Sequence, residues 1–240
     1  MEPVKQLEQW IKEASSVVFF GGAGVSTESG ILDFRSENGL YRQQYDESPE
    51  EILSHDYFFT YPERFYHFYR SHMLTLDKKP NSAHWALAQW EKKRKCEAVI
   101  TQNIDGLHQA AGSVNVLELH GSIHRNTCLA CGRRFTAQQI QAFSQIVPRC
   151  SCGGLIKPDV VLYGEALDET TVNESVSAVA KSDLLIVGGT SLTVYPAAGL
   201  IQYQRRGKLV LINRSVTPLD KNADLIIRES IGQVFDKIQL

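Results

Sequence analysis

Six short runs of aliphatic and β-branched residues constrain this chain more than any other feature: 17–20, 98–101, 116–119, 184–187, 209–212 and Leu225–Ile227. They are almost continuously apolar and do not alternate, so each predicts a strand covered on both faces. Such a sheet needs helices above and below it, and helical patterns fall between several of the runs. Residues 197–206 follow a glycine-containing turn, and SAHWALAQWEKK at 82–93 offers Trp85, Leu87, Ala88 and Trp90 as an apolar face. At the N-terminus, MEPVKQLEQWIKEA places Val4, Leu7, Trp10, Ile11 and Ala14 on one side of a helix. The fold class predicted is α/β, a Rossmann-like doubly wound parallel sheet.

Two stretches break the alternation. Residues 36–80 predict two helices, each begun by a proline at its first turn (Pro49 and Pro62), with aromatic residues crowded between positions 57 and 69. Residues 121–160 hold four of the five cysteines and carry no strong helix or strand signal. Both read as insertions that together make a smaller lobe. The cysteines are spaced Cys128-x2-Cys131, eighteen residues, then Cys150-x-Cys152. Two close thiolate pairs joined by a loop suit tetrahedral zinc, and Gly132, Gly153 and Gly154 allow the tight turns around them. Four thiolates leave no open position for water, so this zinc is expected to be structural. Cys96, alone beside a basic run, is expected to pack.

The bulk properties exclude several classes. A net charge of −2 argues against nucleic acid or a membrane surface as the main partner. No apolar run approaches the roughly 20 residues of a membrane span, and the N-terminus lacks the basic-then-apolar form of a secretion signal. Clustered cysteines point to metal in a reducing compartment, so a cytoplasmic location is expected.

The candidate chemistry lies where the apolar runs end. The first run opens into GGAGVSTESG, a glycine turn suited to a nucleotide diphosphate, yet Thr27 stands where G-x-G-x-x-G needs its third glycine. A dehydrogenase would also want an acidic residue at a strand end roughly 20 positions on; Asp46 and Glu47 lie near that distance in a polar stretch without a strand. The second run opens into TQNID, where Asn103 and Asp105 either read a ribose and a carboxamide or form an Asx turn capping the next helix. His120 ends the third run, as a general base near neutral pH or as a structural histidine; His124 is taken as a loop residue. Gly188, Gly189, Thr190 and Ser191 follow the fourth run and can hold phosphate or ribose oxygens. Asn213 follows the fifth as a ribose-hydroxyl reader.

These motifs, in this order, resemble the sirtuins, NAD-dependent protein-lysine deacylases, over nearly the whole chain. The resemblance is carried by GAGVSTESGILDFRS, TQNIDGLH, the LHG at His120, the cysteine quartet, KPDVVLYGE and GTSLTVYPAA. It implies a compact bacterial-type deacetylase with a single catalytic domain, 1–240. Its large lobe would comprise 1–35, 81–120 and 164–240, and its small lobe the helical insertion 36–80 and zinc module 121–163. NAD would be a co-substrate, with Ala23, Gly24, Ser26 and Thr27 at the diphosphate and Phe34 and Arg35 closing over the nicotinamide ribose. Ile104 and Asp105 would hold the nicotinamide, while Gln102 and Asn103 organise the ribose. Gly189, Thr190, Ser191, Asn213 and Ile231 would surround the adenosine half. Val160, Leu162 and Tyr163 would lie beside an acetyl-lysine peptide added as an extended strand. His120 and Asn103 would be catalytic: an alkylimidate forms as nicotinamide leaves, and His120 then acts as base on the ribose hydroxyls. Free lysine and O-acetyl-ADP-ribose result, and the zinc of Cys128, Cys131, Cys150 and Cys152 stays structural.

Three departures from the family pattern bear on function. Leu32 replaces the proline usual before DFR, and Tyr163 replaces the phenylalanine of FGE. In FYHFYRSHM, Arg70 lies one residue beyond the Tyr-x-x-Arg spacing of succinyl-preferring members, about 100° round a helix, which directs it away and favours acetyl groups. The alternatives are protein mono-ADP-ribosyl transfer, which the presence of His120 disfavours, and an NAD- or ADP-ribose-binding sensor without turnover. A zinc hydrolase is the weakest, because the quartet is closed.

Overall fold

The computed structural model describes residues 2–34, 39–42 and 47–240. Its described strands, in chain order, are β1 (Val17–Gly21), β2 (Cys96–Thr101), β3 (Val116–Glu118), β4 (Gly121–Cys128), β5 (Arg134–Thr136), β6 (Ile156–Val160), β7 (Leu184–Gly188), β8 (Lys208–Ile212) and β9 (Leu225–Ile227). Six of them form one sheet in the order β3-β2-β1-β7-β8-β9, with every neighbouring pair parallel. All six predicted runs are therefore strands of one doubly wound sheet. Alternate side chains explain their unbroken hydrophobicity. Val17 and Phe19 enter one core with the N-terminal helix Pro3–Glu13 and the helix Ser82–Lys92, while Val18 and Phe20 enter another with Val179 and Leu200.

The helices differ from expectation in detail. On Ser82–Lys92 the buried side chains are Ala83, His84, Leu87, Ala88 and Trp90, whereas Trp85 is 48% exposed. Residues 85 and 87 lie about 200° apart on a helix and cannot share one face. In Pro3–Glu13, Val4, Leu7 and Ile11 are buried, and the partly buried Trp10 carries the Lys208 ammonium 4.8 Å from its ring centroid. The segment predicted at 197–206 is a 3-10 helix, Ala197–Tyr203. Cys96 is buried at the start of β2, its thiol donating to the Ala98 carbonyl.

The first insertion contains three short helices, Pro49–Ile52, His55–Thr60 and Pro62–Phe68, the last continuing into a π-helical turn, Tyr69–Met73. The expected first helix divides because Ser54 caps a new one, accepting from the Tyr57 amide at 3.3 Å. The cysteine stretch, expected to lack strands and helices, instead forms an antiparallel sheet, β5-β4-β6, and the helix Ala137–Ala142. Hydrophobic patterning misses β4 because two of its buried side chains are Ser122 and Asn126. Phe58, Phe65, Tyr66 and Tyr69 pack with Ile123, Ile140 and Ile156, so both insertions share one core.

His84 and His108 are buried with ring centroids 4.6 Å apart. Burial lowers the pKa of both, that of His84 to about 4. The unfolded chain takes up these protons near pH 6.5 while the fold refuses them. Stability is therefore full above pH 6.5 and lost as the pH falls toward 4. The expected loss by pH 5 is roughly 2 kcal/mol per imidazole, read as a falling urea midpoint between pH 7 and 5. A flat midpoint would contradict it.

Candidate active site

The sheet changes winding direction between β1 and β7, and ligands of open α/β sheets bind in the crevice at such strand ends. There β1 and β7 finish level, Gly21 opposite Gly188. The two loops that follow touch backbone to backbone, the Gly24 amide donating to the Gly189 carbonyl at 2.8 Å. A Cβ on Gly24 would lie 2.7 Å from Gly189 Cα, and Gly189 itself has φ +60. Beyond Gly22 the chain makes two 3-10 turns, Ala23–Val25 and Thr27–Ser29, where a long phosphate-binding helix would otherwise begin. The opening beside these loops is a cleft of about 490 Å³, a volume suited to a cofactor-sized ligand.

Ala23, Gly24, Ser26 and Phe34 line the cleft on the β1 side, and Gly189, Thr190, Ser191 and Asn213 on the β7–β8 side. Gln102, Asn103, Ile104 and Asp105 line it after β2. Gln102 ties three strand ends together. Its amide donates to the Gly21 carbonyl at 3.0 Å, its side-chain Nε2 to Thr190 Oγ1 at 3.1 Å, and its carbonyl accepts from His120 Nδ1 at 2.9 Å. Ser26 is buried and donates to Asp105 Oδ2 at 2.6 Å while accepting from Asn103 Nδ2 at 3.1 Å. The other Asp105 oxygen accepts from the Leu107 amide at 2.9 Å, so the Asx turn is present and Asp105 still lines the cleft. Burial raises the Asp105 pKa, opposed by the Ser26 and Leu107 bonds.

His120 stands between β3 and β4 and lines the cleft. The Gln102 carbonyl can only accept, so Nδ1 carries the proton and Nε2 is the basic nitrogen of the neutral ring. Burial holds the His120 pKa below its ordinary 6.5, with the Gln102 bond pulling upward. Gly121, at φ +74, lets β4 turn away against the Asp159 carbonyl, where a Cβ would overlap.

Val160, Leu162 and Tyr163 line the opposite wall. Lys157 Nζ holds this segment by bonding the Val160 carbonyl at 2.9 Å and Glu165 Oε2 at 3.0 Å, and Glu165 Oε2 accepts from the Leu162 amide at 2.8 Å. The Tyr163 hydroxyl lies 2.7 Å from that of Tyr41, whose ring is 5.5 Å from Phe34, so the loop after β1 reaches the far wall.

Two expected residues lie away from the cleft lining. Thr27 Oγ1 donates to its own loop at Gly24 O, 3.0 Å away. Ile231 is buried in the core beneath Gly188. Arg35 and Asp46 lie outside the described residues. Arg70 donates to the carbonyls of Phe143 and Gln145 at 3.2 and 2.9 Å and does not line the cleft, whereas Tyr69 does. The sequence reading missed the Lys157–Glu165 support, which the alternating IKPDV pattern could have suggested. It also misplaced His124, which belongs to β4.

The four remaining thiols converge at the end of β4. Their sulfur atoms all lie within 4.8 Å of one another, with Cys128–Cys152 at 3.6 Å and Cys131–Cys150 at 3.7 Å. These separations fit a tetrahedron of Zn–S bonds of about 2.3 Å. Gly154 is needed because a Cβ there would be 2.6 Å from Cys128 Sγ. Purified protein should carry about one zinc per chain by atomic emission, and Cys150→Ser should lose it together with several kcal/mol of stability; an undiminished zinc content would refute the assignment.

The Sir2 family model matches residues 22–196. An NAD-dependent protein deacetylase of Clostridium acetobutylicum is 54% identical, the alignment covering 99% of this chain and 98% of that protein. Among solved structures, a Sir2 variant with deacetylated p53 peptide and 3′-O-acetyl ADP ribose matches with a TM-score of 0.91 at 38% identity, covering 97% of this chain and 96% of that one. A Sir2 complex with p53 peptide and NAD+ matches with a TM-score of 0.88 at 38% identity, covering 98% and 96%. The glycine turn, the QNID loop, His120 and the cysteine quartet thus stand in one cleft and module of a chain that belongs to the Sir2 family, the sirtuins.

Proposed function

We propose that the protein removes acetyl groups from protein lysines at the expense of NAD, releasing nicotinamide, O-acetyl-ADP-ribose and free lysine. One observation carries the reading of the site: Gln102 fixes the tautomer of His120, leaving Nε2 as a base at the switch-point cleft. In this reading His120 accepts a proton from a ribose hydroxyl, and burial favours its neutral, basic form. Asn103 and Asp105, joined through Ser26, orient the ribose and the nicotinamide carboxamide. Ala23, Gly24 and Ser26 face the diphosphate, and Thr190, Ser191 and Asn213 the adenosine half. The peptide lies along Val160, Leu162 and Tyr163. Acetylated proteins, with neither nucleic acid nor membrane, are the proposed partners, and the cytoplasm the proposed setting. The net charge of −2 and the clustered thiols support both, and among the described residues no helix is long and apolar enough to cross a membrane.

The test is nicotinamide release from NAD with and without an acetyl-lysine peptide, in wild type and His120→Ala. Peptide-dependent release with free lysine, and deacetylation reduced at least about 100-fold in the variant, is the expected result. The acid limb of kcat/KM should fall below pH 6.5, because the base is lost only as pH drops through the depressed His120 pKa. Release without deacetylated product would favour ADP-ribosyl transfer, and no release would overturn the enzyme reading.

Both terminal nitrogens of Arg70 are occupied by main-chain carbonyls, leaving the guanidinium turned from the acyl group. Acetyl peptides should therefore react faster than succinyl peptides in paired rate measurements. A faster succinyl rate would contradict this placement.

A further inference from the structure

His124 lies on β4, in the small sheet, and does not line the cleft. Its Nε2 is 2.9 Å from the Asp105 carbonyl oxygen. A carbonyl only accepts, so Nε2 carries a proton and donates it. The preceding residue acts in the same sense, the Ile123 amide donating to the Ile104 carbonyl at 3.0 Å. Two consecutive residues of β4 thus hold the two consecutive carbonyls of the turn whose side chains line the cleft. The imidazole also packs directly on the next residue, since a Cβ on Gly106 would lie 2.6 Å from His124 Cδ2. From the opposite side, Ser26 and the Leu107 amide hold the Asp105 carboxylate. The 104–106 turn is therefore fixed at its backbone by the small sheet and at its Asp105 side chain by Ser26 of the loop after β1 and by the Leu107 amide.

We propose that His124 is a positioning residue for the nicotinamide end of the site. It acts through the Asp105 carbonyl and makes the aim of Ile104 and Asp105 depend on the register of β4. The inference rests on the deacetylase reading above. Its consequence is selective: loss of the His124 donor weakens NAD and free nicotinamide together and leaves the peptide wall untouched.

The test compares wild type, His124→Phe and His124→Gln. Phenylalanine keeps a ring over Gly106 without a donor, and glutamine places an N–H close to the position of Nε2. NAD affinity is measured by calorimetry, alongside kcat, KM for NAD, KM for acetyl peptide, nicotinamide inhibition and zinc content. His124→Phe should weaken NAD binding and nicotinamide inhibition about three- to tenfold, the weight of one hydrogen bond. Peptide KM should stay within about twofold and zinc content unchanged, and His124→Gln should restore both affinities to within about twofold. Wild-type NAD affinity in His124→Phe, or an equal defect in His124→Gln, would overturn the proposal while leaving the deacetylase reading intact. A wild type that binds NAD without turnover would overturn that reading, yet the same titrations would still decide the role of His124. Absence of NAD binding in wild type would overturn both.

Discussion

The contact between the Gly24 and Gly189 backbones is the constraint on which the site depends. No side chain fits between them, since a Cβ on either would stand within 2.7 Å of the other's main chain. Their approach closes the floor of the crevice where the sheet reverses its winding, and beyond it the first loop runs in two short 3-10 turns in place of a long helix. The loop is free to cross the cleft, and Phe34 and Tyr41 extend it to Tyr163 on the opposite wall. An enzyme that cleaves its dinucleotide must expose the reactive ribose to a second substrate and then exclude water. A short-turned loop that reaches Tyr163 on the opposite wall suits both requirements.

Gln102 and Ser26 convert that floor into a chemical site. One side chain and its main chain link the ends of β1, β3 and β7, fixing the His120 tautomer in the same set of bonds. The other buries a hydroxyl between Asn103 and Asp105. A partly satisfied buried network would be costly, so these polar groups hold one arrangement. The small sheet is coupled to them through β4, which leaves His120 at one end and reaches Cys128 at the other. The zinc-fitting quartet and the shared aromatic core hold that strand in register.

Much of this was legible in the chain. The six apolar runs became the six parallel strands because most of their side chains, on either face of the sheet, meet a core. The cysteine spacing identified the quartet, and the polar residues at strand ends identified most of the cleft. Legibility failed where burial is achieved by polar side chains. Ser122 and Asn126 are buried in β4, and hydrophobic patterning has no means of registering them. Trp85 misled in the opposite direction, being large, apolar and half exposed. Ile231 and Thr27 belong to segments beside the cleft, but the side chain of the first packs under Gly188 and that of the second folds back on its own turn.

The sequence by itself determined the doubly covered sheet, the closed thiolate quartet and the chemistry available at each strand end, because local composition fixes which surfaces must be buried and which groups can bind. Only the tertiary structure decided which nitrogen of His120 is basic, that Arg70 is spent on the carbonyls of Phe143 and Gln145, and that His124 reaches Asp105. Each of these is a hydrogen bond between segments distant in sequence. Its partner is chosen by how two packed elements meet in space, and residue spacing carries no record of that meeting.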